Sequence, residues 1–549
     1  MPRIENPVLR GFHPDPSILR VGDDFYIANS TFEWFPGVFI YHSKDLVNWE
    51  LVSRPLSKVT QINLYGIPPS GGVWAPCLSF ADGIFYLIYS NTLTPVGDIE
   101  SGGGFKDTHN YLITAKDIMG PWSEPVYLNS SGFDPSLFHD DDGRKWLVNM
   151  FWDYRKNSNP FGGIVLQEYD CEKRKLIGPV QNIFKGTEIG FTEGPHLYKR
   201  NGFYYLVTAE GGTSYGHAVT FARSKKITGP YEIHPQNPIL SSVKDKHGFT
   251  QKLQQWESIH DYLHPGLQKA GHASICPWKN DEWIIAHLCG RPLPHTKYCP
   301  LGRETALQKA VWKDDNWLYL ASEKPEVEVC FSGPDVEKKK KDMFYCDFNE
   351  KQLPMEFQSL RVPLDDKMSL VERKGFLRLY GAESIISPFN QSLIARRVQS
   401  FRFYAETCMD YYPENINTMA GLFLRYDESN QYYLRLSKND DNKNALGLII
   451  YDKRRLSMPV DPEPIVDSNK VYLSAQMTNE KIQFYYSLNK EKWNKIGTPL
   501  NSYVLSDDYV HPLGFTGMFA GIACQDLNGR KKYADFDYFL YKEEEHFKI

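Results

Sequence analysis

The sequence is short of several things that would assign it a class at once. Its nine cysteines (Cys77, Cys171, Cys276, Cys289, Cys299, Cys330, Cys346, Cys408, Cys524) are scattered, odd in number and without a CxxC pair. That pattern fits neither a disulfide framework nor a structural zinc site, so a reducing compartment is expected. No apolar stretch approaches a membrane span, and MPRIENPVLRGFHPDPS has no apolar h-region, so a cytoplasmic, non-membrane protein is expected. Charge of one sign is lacking as well: 62 Lys and Arg stand against 67 Asp and Glu, a net of -5. Nothing in that balance predicts a nucleic-acid partner. The one basic run, Lys338 to Lys341, is flanked by Glu337 and Asp342 and reads as a solvated linker.

What the chain has is length and a repeated phrase. At 549 residues it is too long for one core. Five times in the first three hundred residues an opener is followed by an apolar strand, a polar turn and a second aromatic-rich strand. The phrases begin at Asp15 (DPSILRVGDDFYIANS), Trp74 (WAPCLSFADGIFYLIYS), Asp134 (DPSLFHDDDGRKWLVNM), Glu193 (EGPHLYKRNGFYYLVTA) and His272 (HASICPWKNDEWIIAHL), at intervals of 59, 60, 59 and 79 residues. Such a period is the mark of a radially repeated fold.

Within each phrase apolar residues alternate with period two, and turns such as Asp82-Gly83 and Asn201-Gly202 separate the strands. The second halves rhyme too, giving about four strands per unit, and a four-stranded unit repeated in a ring is a propeller blade. The all-β reading is therefore a five-bladed β-propeller over 1–325, a linker over 326–342 where Pro, Glu and Lys gather, and an antiparallel β-sandwich over 343–549. Residues 241–264 break the period and read as a surface insertion, partly helical, between the fourth and fifth blades.

In a propeller the innermost strands meet at one mouth. If the five openers begin those strands, three carboxylates, one indole and one imidazole converge there: acids for proton transfer and a ring to pack on an apolar sugar face. Each acid has a plainer reading, since Asp before Pro is a common turn starter. Turn chemistry alone, however, does not require acids at a phase that other blades fill with Trp and His.

The segments GFHPDPS (11–17), STFEWFPG (30–37), GGVWAP (71–76), GFDPSLF (132–138), TEGPHLYK (192–199), AEGGTSYGH (209–217), QKAGHAS (268–274), AHLCGRPL (286–293), LGRETALQ (301–308) and GFTGMFAGIACQDLNG (514–529) resemble the β-xylosidases of glycoside hydrolase family 43. The resemblance implies inverting, exo-acting release of xylose from short xylooligosaccharides, with side activity on α-L-arabinofuranosides and assembly as a dimer or tetramer. It implies Asp15 as general base, Glu193 as general acid and Asp134 as the carboxylate that orients substrate and raises the pKa of the acid. An inverting pair stands roughly 6.5 to 9.5 Å apart to admit a water, which suits acids on separate blades.

The same resemblance places Arg303 beside Asp134 and the sugar hydroxyls, the alternative being a propeller-closing salt bridge. It makes Phe32, Trp74 and Trp152 pocket walls, gives Thr213 a hydroxyl for substrate, and brings a phenylalanine from the sandwich, Phe519 in preference to Phe515. For His272 a structural role and an associated cation such as calcium both stand open; residue spacing identifies no metal-ligand set, and no cofactor is required. The competing readings are a primary α-L-arabinofuranosidase, a propeller that binds sugar without catalysis, and an interaction scaffold.

Overall fold

The computed structural model describes residues 1–94, 104–245, 248–249, 259–510, 513–529 and 531–543. Among them are five antiparallel sheets in ring order, whose innermost strands are Ser17–Val21, Gly72–Ala81, Ser136–His139, Glu193–Arg200 and Gln268–Pro277. Each continues outward through three more strands, and blade 4 gains Leu240–Ser241 at its edge. Turn chemistry sets the first hairpin of blades 2 and 4. Asp82 and Gly83 have φ of 54° and 73°, and Asn201 and Gly202 have 48° and 73°. Two successive left-handed residues form the tight turn whose twist matches that of paired strands.

Neighbouring blades share apolar cores. Ile4, Phe25, Ile27, Trp278 and Ile284 are buried together between blades 1 and 5. Tyr205, Val207, Phe221, Ile285 and Trp317 do the same between blades 4 and 5. Outside the blades, Arg3–Glu5 pairs with Glu328–Cys330, so the stretch that reads as a bare linker carries a strand that holds the amino-terminal segment. Lys338, from the basic run, meets Glu5 at 2.8 Å on the exposed surface.

From Met343 the chain builds two antiparallel sheets of eight and six strands. Tyr533–Glu543 is central to the first and Phe519–Asp526 to the second. The sandwich is locked to the propeller by a two-stranded ribbon, Ser359–Leu360 on Trp34–Phe35, and by one continuous apolar cluster. That cluster runs from Phe12, Phe32, Trp34, Trp74 and Phe133 of the propeller to Leu360, Leu393, Phe423 and Phe519 of the sandwich. The mouth of the ring that carries the acids is thus also the face that the second domain covers.

Of the 241–264 insertion, residues 246–247 and 250–258 lie outside the described residues, so its expected helix is only partly in view. Its ends form a bridge, Val243 to Leu263, and a short 3-10 turn at His260–Tyr262. Among the described residues, no helix is long and apolar enough to cross a membrane.

Candidate active site

Each blade has a residue held at left-handed φ just before or within its innermost strand: Asp15 at 51°, Ala75 at 34°, Asp134 at 55°, Gly194 at 57° and His272 at 46°. This corrects the expected phase. Trp74 and Glu193 each stand one residue before the position occupied by Asp15, Asp134 and His272. The physical marker of the phase is the left-handed residue followed in four blades by proline, Pro16, Pro76, Pro135 and Pro195. The pairing register shifts at this point in blades 2, 4 and 5. A bulge of this kind bends a strand and re-aims its side chains.

Two residues further on, serines tie the blades together. The Leu78 N–H donates to Ser17 Oγ at 3.0 Å and the Ile18 N–H to Ser274 Oγ at 2.8 Å. The Ser136 hydroxyl donates to the Pro195 carbonyl at 2.6 Å. Just beneath the openers, blades 5, 1 and 2 are thus linked in series and blade 3 is linked to blade 4.

All three acids are buried. Asp15 accepts from the Ser30 hydroxyl at 2.6 Å, and Ser30 Oγ in turn accepts from the Ala75 N–H at 2.7 Å. The other oxygen of Asp15 lies 3.6 Å from Nδ1 of His272. Asp134 accepts from the Gly194 N–H at 3.0 Å, so the residue after Glu193 is bonded to the carboxylate of the preceding blade.

Burial, reinforced by the charge of Asp15, raises the pKa of Glu193 to about 8, against the pull of Arg303 and Lys106. Asp134 is pushed up to about 7, chiefly by burial, with His272 opposing and Glu193 and Asp15 adding to the rise. A carboxyl lifted this far holds its proton at neutral pH, as a general acid must. The charge of Asp15 adds to the rise of Glu193, and the repulsion between Asp134 and Glu193 shows in the raised Asp134.

The aromatic walls form a connected set. Phe32 lies 6.1 Å from Trp74 and 6.1 Å from Phe515, and Trp74 lies 5.8 Å from Phe515 and 5.4 Å from Phe133. Phe133 continues to Trp152 at 6.1 Å, and the Trp152 indole N–H donates to the Gly104 carbonyl at 2.9 Å. Over this set sits Lys106, its ammonium 5.2, 5.2 and 4.5 Å from the rings of Trp74, Phe133 and Trp152. Burial lowers its pKa to about 8, with Glu193 and Asp134 opposing. A cation over three ring faces is held by their quadrupoles. Lys106 lies outside the repeated phrases, and no sequence signal selects it.

One expectation is corrected. Phe519 is not a pocket residue: it is fully buried and stacked on Trp34 at 3.7 Å, in the core that joins the domains. The reason is its place at the first position of a central strand, where the inward face is already packed. The sandwich aromatic at the pocket is Phe515, partly exposed in the preceding loop and anchored by its N–H on the Ser70 hydroxyl at 3.0 Å. Arg303 has its ion pair with Asp507 of the sandwich at 3.7 Å, lies 4.4 Å over the ring of Phe515, and pulls on the Glu193 carboxyl from the propeller side. Thr213 is half-buried in the loop after Phe203–Glu210, without a hydrogen bond to the acids.

Glu193, His217 and His272 bring one ligand atom each within 4.8 Å of the others. Neither ring nitrogen of His217 has a hydrogen-bond partner, and its imidazole fills the space over Gly271, where a Cβ would come within 2.3 Å. Two imidazoles and one carboxylate make a nitrogen-rich set. Calcium takes roughly six to eight oxygen ligands, so these residues do not suit it by direct coordination.

Residues 4–318 match the family Glycosyl hydrolases family 43, and residues 346–542 match the Beta xylosidase C-terminal Concanavalin A-like domain. A Beta-xylosidase of Bacillus subtilis (strain 168) is 48% identical, over 99% of this chain and 100% of its own. A Xylosidase/arabinosidase 43B of Humicola insolens is 46% identical, over 100% of this chain and 99% of its own. The crystal structure of a xylan beta-1,4-xylosidase from Bacillus Halodurans C-125 superposes with a TM-score of 0.91 at 49% identity, over 98% of this chain and 100% of that one.

Proposed function

The chain belongs to glycosyl hydrolase family 43, and from that premise we propose that it is an exo-acting, inverting β-xylosidase releasing D-xylose from the non-reducing ends of short β-1,4-xylooligosaccharides. The observation that carries this reading is the division among buried acids on separate blades: Glu193, raised to about 8, keeps its proton, while Asp15 has a hydroxyl donor and an imidazole at its two oxygens.

In the proposed reaction a water attacks the anomeric carbon from the face opposite the leaving group. Asp15 takes the proton of that water as the new C–O bond forms. Glu193 gives its proton to the glycosidic oxygen as the old C–O bond breaks. Xylose leaves with inverted configuration, and exchange with solvent restores Glu193 and Asp15. Phe32, Trp74 and Phe515 offer apolar faces to the sugar ring, and the free donors of Arg303 meet its hydroxyls. A wall supplied by the second domain suits a terminal residue and disfavours the interior of long xylan.

A second activity, on α-L-arabinofuranosides, is favoured by the likeness to the xylosidase/arabinosidase of Humicola insolens. Initial rates on p-nitrophenyl β-D-xyloside and p-nitrophenyl α-L-arabinofuranoside test the order. A clear preference for the arabinoside would reverse it, wild-type turnover in Glu193→Ala would refute the assignment of the acid, and no turnover of either substrate by the wild-type protein would point to a sugar-binding propeller instead. The reading also includes a cytoplasmic dimer or tetramer, which light scattering on the purified protein checks for assembly.

A further inference from the structure

Arg303 opens the strand Arg303–Trp312 and is 2% exposed. Its Nε and Nη2 have no hydrogen-bond partner, although both are buried. The donors of those two nitrogens are unspent. On one side lies the ring of Phe515 at 4.4 Å, and on the other, 3.7 Å from Nε, the Oδ2 of Asp507.

Asp507 belongs to the sandwich, just past the one-turn helix Ser502–Leu505, and is fully buried. Its Oδ2 is shared: the ammonium of Lys269 lies 3.1 Å away and also reaches Asp508 at 2.6 Å. The second oxygen of Asp508 accepts from the Cys299 N–H at 3.0 Å. Lys269 lies on the innermost strand of blade 5, three residues before His272, and is held at left-handed φ of 56°. The ligand atoms of Cys299, Asp507 and Asp508 converge as a metal set would, but the cation among them is the Lys269 ammonium.

The arrangement has a definite consequence. An unhindered Asp and Arg close to a bidentate pair that consumes two guanidinium donors. Here Lys269 takes up the shared oxygen at 3.1 Å, and Asp507 stays beyond hydrogen-bond distance of Arg303 while still attracting it through a low-dielectric interior. Gly302, at φ of 74°, lets the sandwich loop press close: a Cβ there would come within 2.2 Å of the Thr516 carbonyl oxygen. We infer that Asp507 is a positioning residue, which fixes Arg303 through charge, leaves its donors free for sugar hydroxyls, and makes the second domain an electrostatic part of the pocket. The inference rests on the proposed role of Arg303 in binding sugar.

The test is a double-mutant cycle on p-nitrophenyl β-D-xyloside with Asp507→Asn, Arg303→Lys and the double variant, with thermal unfolding measured for each. Asp507→Asn should raise KM by on the order of 10-fold with kcat changed less than about threefold, the pattern of lost binding. In the Arg303→Lys background the same change should add less than about twofold, because partners in one network do not act independently.

A folded Asp507→Asn with wild-type KM would overturn the inference, as would an undiminished effect in the Arg303→Lys background. If Asp507→Asn does not fold, Asp507→Glu takes its place under the same expectations and the same refutations. An unchanged KM in Arg303→Lys alone would instead remove the binding role of Arg303, and the inference with it.

Discussion

The N–H of Gly194 donates to Oδ2 of Asp134 at 3.0 Å, so the third carboxylate of blade 3 holds the backbone that carries the acid of blade 4. Asp134→Ala leaves that donor unpaired and Glu193 free to shift. Loss of kcat by on the order of 100-fold or more is expected, since small misplacements of a reacting group are costly. Asp134→Asn keeps an acceptor oxygen for Gly194 and should lose less. Steady-state kinetics of the two variants check the order, and equal losses would make the charge of Asp134, rather than its hydrogen bond, the operative feature.

Glu193 acts in its protonated form and its pKa is raised to about 8, so kcat/KM should hold through neutrality and fall as pH rises through about 8. Lys106 opposes that rise, and removing it should move the fall upward. For Lys106→Met the basic limb of the pH profile should shift by roughly half to one unit to higher pH. A limb that stays in place, or moves down, would show that another group titrates there.

The two sandwich phenylalanines should separate cleanly. Phe515→Ala removes a partly exposed wall and should raise KM several-fold, with stability changed by less than about 1 kcal/mol. Phe519→Ala empties a fully buried site stacked on Trp34 and should cost about 3–5 kcal/mol. Urea unfolding and kinetics on both variants read the difference.

If Glu193 donates the proton to the leaving oxygen, its loss should matter most where the leaving group needs that proton. Glu193→Ala should lose on the order of 100- to 10,000-fold on xylobiose and distinctly less on p-nitrophenyl β-D-xyloside, whose phenolate leaves readily. Equal losses on both substrates would speak against Glu193 as the acid.

Much of this was legible in the chain because blades obey local rules. Period-two strands and paired left-handed turn residues such as Asp82-Gly83 write themselves into sequence, and so do Asp15, Asp134 and His272 at one repeat phase. The one-residue offset of Trp74 and Glu193 was legible too, in the prolines that follow, but chemistry drew attention to the indole and the acid instead. Phe515 and Phe519 share one apolar run, and only the place where the strand begins tells loop from core. Lys106 and Asp507 left no pattern: each is a single residue outside any repeat, brought to the site by tertiary packing.

The most direct test is proton NMR of xylobiose hydrolysis from the first moments of the reaction. With Asp15 and Glu193 acting on opposite faces of the sugar, α-xylose should appear first from the non-reducing unit, with the β-anomer growing in only by mutarotation. Initial appearance of β-xylose from that unit, or no xylose at all, would contradict the account.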